Sequence, residues 1–460
     1  MKKESVSVKV KLPQITTERI LIMTTLTQKT LDYNKQIKLS DDGGSLSSDS
    51  GQLLVREFDE KLGFSKTIDK YLTLNDDRLY YKHSNINILR QKIYQMIAGY
   101  DTDSAAKSLV DDPVFTHIIG TESLASQSSL SRFFNRFDAR SNASLQAANQ
   151  ALLDKVHRLR KTETIIFDLD STHAIAYGNQ ESIAYNAHYG NIGFHPLVAF
   201  DGMTGDFLKA KLRPGNVYTS NGVVEFIQPL VEHYNEKFPE MMPYLRGDSG
   251  FAVPDLYEFC EKESVYYTIR LKSNAVLQRI AEELHSSTST TDFAQSECYY
   301  EEIPYQAKSW SKPRRVIIKS ERLANEMFFT HTFIVTNLGD AFTPKDIAHS
   351  YQKRGTMENY IKESKHGLFF DQMNSSSFHA NEAKMMISLL AYNLINWLRT
   401  LCFPKQHKSM QIQTIRTRII KVASRLVRSA RSFYFKLSSS FVYQKFFWEV
   451  LRRIQRFRCE

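Results

Sequence analysis

Cysteine is scarce in this chain of 460 residues: four in all, Cys260, Cys298, Cys402 and Cys459, far apart and with no C-x-x-C pair. That spacing disfavours both a disulfide framework and a zinc ribbon, and reduced thiols are expected. Long apolar runs are missing too. The most continuous, Met385 to Leu398, is interrupted by Asn393 and Asn396 and is too short to span a bilayer. Met1-Lys2-Lys3 opens like a secretory leader, but Glu, Ser and Lys alternate after it, so no apolar h-region follows. No membrane partner is expected, and a cytoplasmic protein is the simplest expectation. Acidic residues are scarce in one place above all. Between Lys405 and Glu460 fourteen Lys and Arg face two Glu, whereas the rest of the chain is nearly balanced. The overall charge of +10 is therefore a C-terminal property, and a polyanion bound at that end is the natural inference.

What is present points to an α/β enzyme of several domains. Residues 1–50 are polar and end in D-D-G-G-S-L-S-S-D-S-G, a flexible lead-in. Residues 51–160 carry helical periodicity, as at Leu54, Phe58 and Leu62. Ser128 is the expected cap of a helix through Phe133. Gln127, Ser129 and Arg132 near its start suit a helix-turn-helix reader of base edges, while a bundle docked on a catalytic core suits the pattern equally. Thr164 to Asp170, T-I-I-F-D-L-D, reads as a buried strand whose alternation sends Asp168 and Asp170 to one face. Two carboxylates so close raise one another's pKa unless a cation sits between them. Gly193 to Phe200 and Phe207 to Leu212 read as two further strands of a meander, followed by a helix through Val223, Phe226, Ile227 and Leu230. Tyr244-Leu-Arg-Gly-Asp-Ser-Gly-Phe is a short strand with Asp248 at its tip between two glycines. Residues 279–337 are strand-like, and a β-rich insertion is expected there between 161–278 and 338–404. Within it Trp310 stands among Lys308, Lys312, Arg314 and Arg315, placed to stack on an extruded base.

The most informative stretch is Tyr351 to Lys365, Y-Q-K-R-G-T-M-E-N-Y-I-K-E-S-K. Tyr351, Arg354, Glu358 and Lys365 stand at offsets that an α-helix gathers within about 60° of arc. Thr343-Pro344 with Asp346 makes a capping-box start for that helix, and Gly355 is a position where it could break. Glu363 falls off the stripe by about 140°. In residues 405–460, Arg418, Lys421, Arg425 and Arg428 share a second face of a helix whose first face is Ile415, Ile419, Val422 and Leu426, a phosphate track.

The pattern Y-x2-R-x3-E-x6-K resembles the third carboxylate region of DDE transposases of bacterial insertion sequences. F-D-L-D-S-T, G-F-H-P-L-V-A-F, L-R-P-G-N and R-G-D-S-G-F are similar to the thirteen-eighty group of those elements. The resemblance implies a ribonuclease H-like core on which Asp170, Asp248 and Glu358 hold two Mg²⁺ or Mn²⁺ ions. It favours Asp170, which precedes Ser171-Thr172, over Asp168. It further implies that Tyr351, Arg354 and Lys365 grip DNA, that double-stranded DNA is the partner through terminal inverted repeats and target, and that two protomers pair two ends in a nucleoid-associated complex. Cut-and-paste transposition is the expected activity. A ribonuclease H-like nuclease without strand transfer and an inactive DNA-binding regulator are the alternatives.

Overall fold

A computed structural model describes residues 29–285 and 293–459; part of the lead-in, residues 1–28, lies outside them. The fold is mixed α/β and centred on an eight-stranded mixed sheet. Its strands are β1 (Thr164–Ser171), β2 (Leu197–Asp201), β3 (Phe207–Lys211), β4 (Met242–Gly247), β5 (Tyr266–Leu271), β6 (Glu297–Tyr305), β7 (Arg314–Arg322) and β8 (Thr330–Thr336). The spatial order is β6-β7-β8-β5-β4-β1-β2-β3. β1, β4 and β5 run parallel, and all other pairings are antiparallel. The expected meander is β1-β2-β3. β1 is the pivot, with an antiparallel neighbour on one side and a parallel one on the other. Ligand sites of open sheets lie at the carboxyl ends of strands beside such a reversal.

Two strand readings need correction. Residues 193–200 are not one strand: Asn191–Phe194 belongs to a separate small sheet with Ala174–Ile175 and Ala184–Asn186, and β2 begins only at Leu197. Pro196 between them has no N–H to give a ladder, so the chain changes sheets there. The strands expected over 279–337 form and extend the central sheet, but the stretch does not begin as strand. β8 pairs with β5, whose edge would otherwise present unpaired backbone groups, and residue 279 falls inside a helix, Ala275–His285.

Residues 52–160 are helical, ending in α1 (Ala139–Arg160). The helix Gln127–Phe134 is capped by Ser126, not Ser128: Ser126 is extended and accepts from the Ser129 amide at 3.3 Å. α2 (Pro344–Gln352) and α3 (Gly355–Lys362) follow the sheet, and α4 (Phe378–Trp397) lies nearly wholly buried against α1 and β3. The helical N-terminal bundle thus docks on the core. Asn393 and Asn396, the polar breaks in the apolar run, serve the edge strand β3. Asn393 accepts the Phe207 amide at 2.8 Å and donates to its carbonyl at 2.9 Å, while Asn396 donates to Asp206 at 2.6 Å. No helix of the described residues is long and apolar enough to cross a membrane.

The C-terminal region departs most from expectation. Helix ends at Ile420, and Ser424–Ser429 and Ser432–Leu437 form an antiparallel hairpin joined by Leu46–Ser47. The cause is competition for backbone groups: the carbonyls of Ile420 and Val422 accept from Gly51 and Ser50 at 3.1 and 3.0 Å, so the helix cannot continue. The lead-in is accordingly built into the fold from Leu46 onward.

Candidate functional site

β1 and β4 are in register Asp168 to Arg246, so two residues further on Asp170 and Asp248 leave adjacent parallel strands at the same end. Asp168 is fully buried, and Arg246 donates to both of its oxygens at 2.5 and 2.6 Å. Arg246 also donates to the Ser350 carbonyl at 2.8 Å, which ties the strand ends to α2. Asp168 is thereby committed to the fold, and Asp170 is the free carboxylate of the pair. Its Oδ1 accepts the Ser171 amide at 2.8 Å, and its Oδ2 lies 3.3 Å from Arg354 Nη2. Asp248 caps the short turn Ser249–Phe251, accepting from the Gly250 amide at 2.8 Å. Its other oxygen is 4.0 Å from the same Nη2. Gly250 is required for this approach, because a Cβ there would sit 2.8 Å from Thr219.

The capping box forms as expected, with Thr343 and Asp346 bonded reciprocally. α2 and α3 are not one continuous helix. The chain turns at Lys353-Arg354, directly before Gly355, and after Lys362 it widens into a π-turn over Glu363–Gly367. The break points Arg354 inward between Asp170 and Asp248, where its Nε is buried without a hydrogen-bond partner. Burial would lower the Arg354 pKa, but the charges of Asp170 and then Asp248 outweigh it and raise it. Asp170 is pushed up to about 6 by burial; Arg354 opposes the shift, while the charges of Asp248 and Glu358 add to it. Glu358 itself is exposed on α3. Tyr351 is raised by burial, with the Asp248 and Asp170 charges adding. Lys365 donates to the His173 carbonyl at 2.7 Å and is lowered by burial. The structure therefore brings Asp170, Asp248, Glu358, Tyr351, Arg354 and Lys365 into one electrostatic neighbourhood. Glu363 is excluded: it pairs with Arg399 at 2.8 Å and accepts the Ile412 amide at 2.7 Å.

Trp310 is buried and the four C-terminal cations do not form the expected helical face. Trp310 is only 7% exposed, wedged edge-on against Tyr257 and Tyr305 with the Arg314 guanidinium 5.5 Å away. Its ring has no free face for a base, and Glu261 pairs with both Lys312 and Arg314. Arg418, Lys421, Arg425 and Arg428 do not share a face. Arg418 lies 5.4 Å from the Tyr443 ring, and Lys421 pairs with Asp49 at 2.7 Å. Arg425 and Arg428 sit three apart on a strand and so point to opposite sides.

Residues not foreseen line a cavity of about 490 Å³ beside the acids: Tyr189, His188, His195, Thr219 and Lys272. Tyr189 stacks on His173 at 5.0 Å. Three histidines within the segment 173–195, flanking a tyrosine, were the available signal.

The acids offer only oxygen, which suits Mg²⁺ or Mn²⁺ better than zinc. A carboxylate pair converging on one shared cation is the donor chemistry such an ion needs. Among the described residues no three acidic or imidazole groups are yet gathered closely enough to hold an ion, and Arg354 stands where the Asp170 and Asp248 oxygens converge.

A family model described as transposase DDE domain, group 1, matches residues 29–459. Among solved structures, a piggyBac transposase synaptic complex with hairpin DNA is similar at 12% identity over 81% of this chain and 80% of that one, with a TM-score of 0.42. A Mos1 transposase paired-end complex with the left transposon end is similar at 10% identity over 41% of this chain and 71% of that one, with a TM-score of 0.17. No curated protein matches.

Proposed function

This chain belongs to the transposase DDE domain family, group 1, and from that premise we propose that Asp170, Asp248 and Glu358 are its catalytic acids. The protein is a transposase, a DNA-binding enzyme of DNA cleavage and strand transfer. In the first step water attacks a phosphodiester phosphorus and the DNA 3′-oxygen leaves as a hydroxyl. In the second that hydroxyl attacks target DNA, and another 3′-oxygen leaves. The sheet order β3-β2-β1-β4-β5, with β1 to β3 antiparallel and β1, β4 and β5 parallel, supports a ribonuclease H-like core.

The three acids would hold two Mg²⁺ or Mn²⁺ ions, which supply a polarised nucleophile and a stabilised leaving oxygen when bound. Asp170 and Asp248 are fixed by strand ends, whereas Glu358, exposed on a helix, would complete the set as its outer member. Arg354, displaced from the acids, has a guanidinium fork matched to a phosphate. Lys365 is held by the His173 carbonyl at the rim, and Tyr351 has a hydroxyl to donate beside the scissile group. The element is a bacterial insertion sequence, the terminal inverted repeats and target are double-stranded DNA, and pairing of two ends makes the active form a homodimer in the bacterial cytoplasm.

One observation carries the assignment: Asp170 and Asp248, from adjacent parallel strands, share a single cation. Duplexes from the DNA flanking the coding region test it. Wild type should nick them with Mg²⁺ and join precut ends to target, while Asp170→Asn and Glu358→Gln lose about three orders of magnitude. Equal nicking by either variant would remove that residue from the active site.

A further inference from the structure

Three consecutive apolar side chains stand in solvent at the tip of one N-terminal loop: Leu79 is 88% exposed, Tyr80 93% and Tyr81 60%. Single exposed apolar residues are ordinary, but an unbroken run of them marks an interaction surface. The loop is fastened at its neck. Arg78 donates through Nε and Nη2 to the two oxygens of Asp76 at 2.7 and 2.8 Å, through Nη2 to Asn85 at 3.0 Å, and through Nη1 to the His83 carbonyl at 3.4 Å. Asn85 donates to Asp76 at 2.8 Å, and Arg136 donates to Asn85 at 2.5 Å. The Arg78 guanidinium also lies 5.2 Å from the Tyr81 ring, and these bonds hold Asp76 well below the usual carboxylate range. The tip is thus presented by a built neck, so its exposure is not that of a loose loop.

Arg136 anchors the neck to the end of the helix Gln127–Phe134, whose Gln127, Ser128, Ser131 and Arg132 are exposed. Arg132 is close enough for its charge to act on Arg136. Arg78 and Arg136 both pair with Asp76, which leaves an excess of cations over carboxylates at 76–82, 132 and 136, so the ground around the apolar tip is positive. A second copy of this chain would have to supply a negative rim around an apolar socket, whereas duplex DNA offers phosphates beside stacked bases.

We propose that Leu79 and Tyr80 form a wedge that enters a groove of duplex DNA and parts a base step, with the polar face of helix 127–134 against the same duplex. Apolar side chains inserted between base pairs unstack and bend the helix, and tyrosine rings replace part of the lost stacking. The inference rests on the reading of the chain as an enzyme acting on DNA ends, and it assigns how an end is gripped instead of how it is cut.

The full chain, with EDTA to remove metal, is titrated into fluorescent duplexes from the DNA flanking the coding region over a range of salt. Because both side chains are exposed, the Leu79→Ser, Tyr80→Ser double variant should melt as wild type does. Its affinity should fall about tenfold at each salt concentration, with an unchanged slope of log K against log salt, since apolar contacts release no counterions. Lys82→Ala should instead flatten that slope by about one ion. Energy transfer between the duplex ends should report a bend in wild type that the double variant loses. Full affinity and an intact bend in the double variant would overturn the proposal. So would a fall in molecular mass from dimer to monomer at unchanged affinity per protomer, which would assign the tip to a second copy. Metal-dependent nicking by wild type is measured separately, and its absence would strike the catalytic reading without touching the binding result.

Discussion

At the scale of single residues, Arg354 decides the resting state of the site. Two carboxylates facing each other at the end of β1 and β4 repel, and one guanidinium nitrogen 3.3 and 4.0 Å from them supplies the missing charge. Replacing it with a neutral amide leaves a buried acid uncompensated. Arg354→Gln should therefore cost the metal-free protein about 3 kcal/mol by urea denaturation. It should also bind Mn²⁺ about tenfold more tightly than wild type in the absence of DNA, by electron paramagnetic resonance, because an ion need no longer displace a resident cation. Wild-type affinity in the variant would mean that Arg354 does not occupy the ion's place. Acid dependence follows from Asp170. Its folded pKa of about 6 is above the ordinary value, so its contribution to stability is fully present below about pH 4 and is lost as pH rises through 6. An ion that binds the ionised form reverses this loss. Mn²⁺ should raise the melting temperature at pH 7 and much less at pH 5, and an equal rise at both would contradict the assignment.

At the scale of elements, two glutamates five residues apart stand in opposite surroundings. Glu358 is exposed on α3, where its charge still reaches Asp170, whereas Glu363, in the π-turn, is buried against Arg399 and the start of the next helix. Glu363→Gln should lower stability by about 3 kcal/mol, while Glu358→Gln should leave the urea midpoint unchanged and abolish nicking. A stability loss confined to the Glu358 variant would exchange the two roles. The helical phase of the sequence already set Glu363 apart from Glu358, although the chain there is two helices and a π-turn and not the one helix that phase assumes. The T-I-I-F-D-L-D strand was legible in the sequence: β-branched and aromatic residues leave few other states open. Choosing between Asp168 and Asp170 needed Arg246, whose partner no local pattern reveals. Trp310 misled because cations adjacent in sequence suggest phosphate, although Glu261, about fifty residues earlier, pairs with two of them.

At the scale of the whole molecule, segments near the two ends of the described chain, 46–51 and 419–425, are joined, and this bears on the largest departure from the helical pattern. Ile415, Ile419, Val422 and Leu426 recur at helical spacing, yet residues 424–429 form a strand. One partner, Ser432–Leu437, is the next segment of the chain, but the other, Leu46–Ser47, lies more than 370 residues away, where no local periodicity could announce it. Where the two ends meet, the chains touch backbone to backbone. Ser50 Oγ bonds Ser424 Oγ at 2.5 Å, Asp49 accepts from Tyr100 at 2.9 Å and pairs with Lys421 at 2.7 Å, and Gly51 passes directly over Ile419. A Cβ on Gly51 would lie 2.0 Å from the Ile419 carbonyl oxygen, a clash with main chain that no rotamer change relieves. The φ of Gly51 is −65°, which any residue adopts, so the close approach alone requires glycine. Gly51→Ala should therefore cost about 3 kcal/mol. Because Gly51 also opens the first helix of the N-terminal bundle, that loss should appear in helical dichroism and in the fluorescence of Trp448 near the C-terminus at the same urea concentration. Two separated transitions, or a variant as stable as wild type, would show that the two ends are not closed on one another in solution.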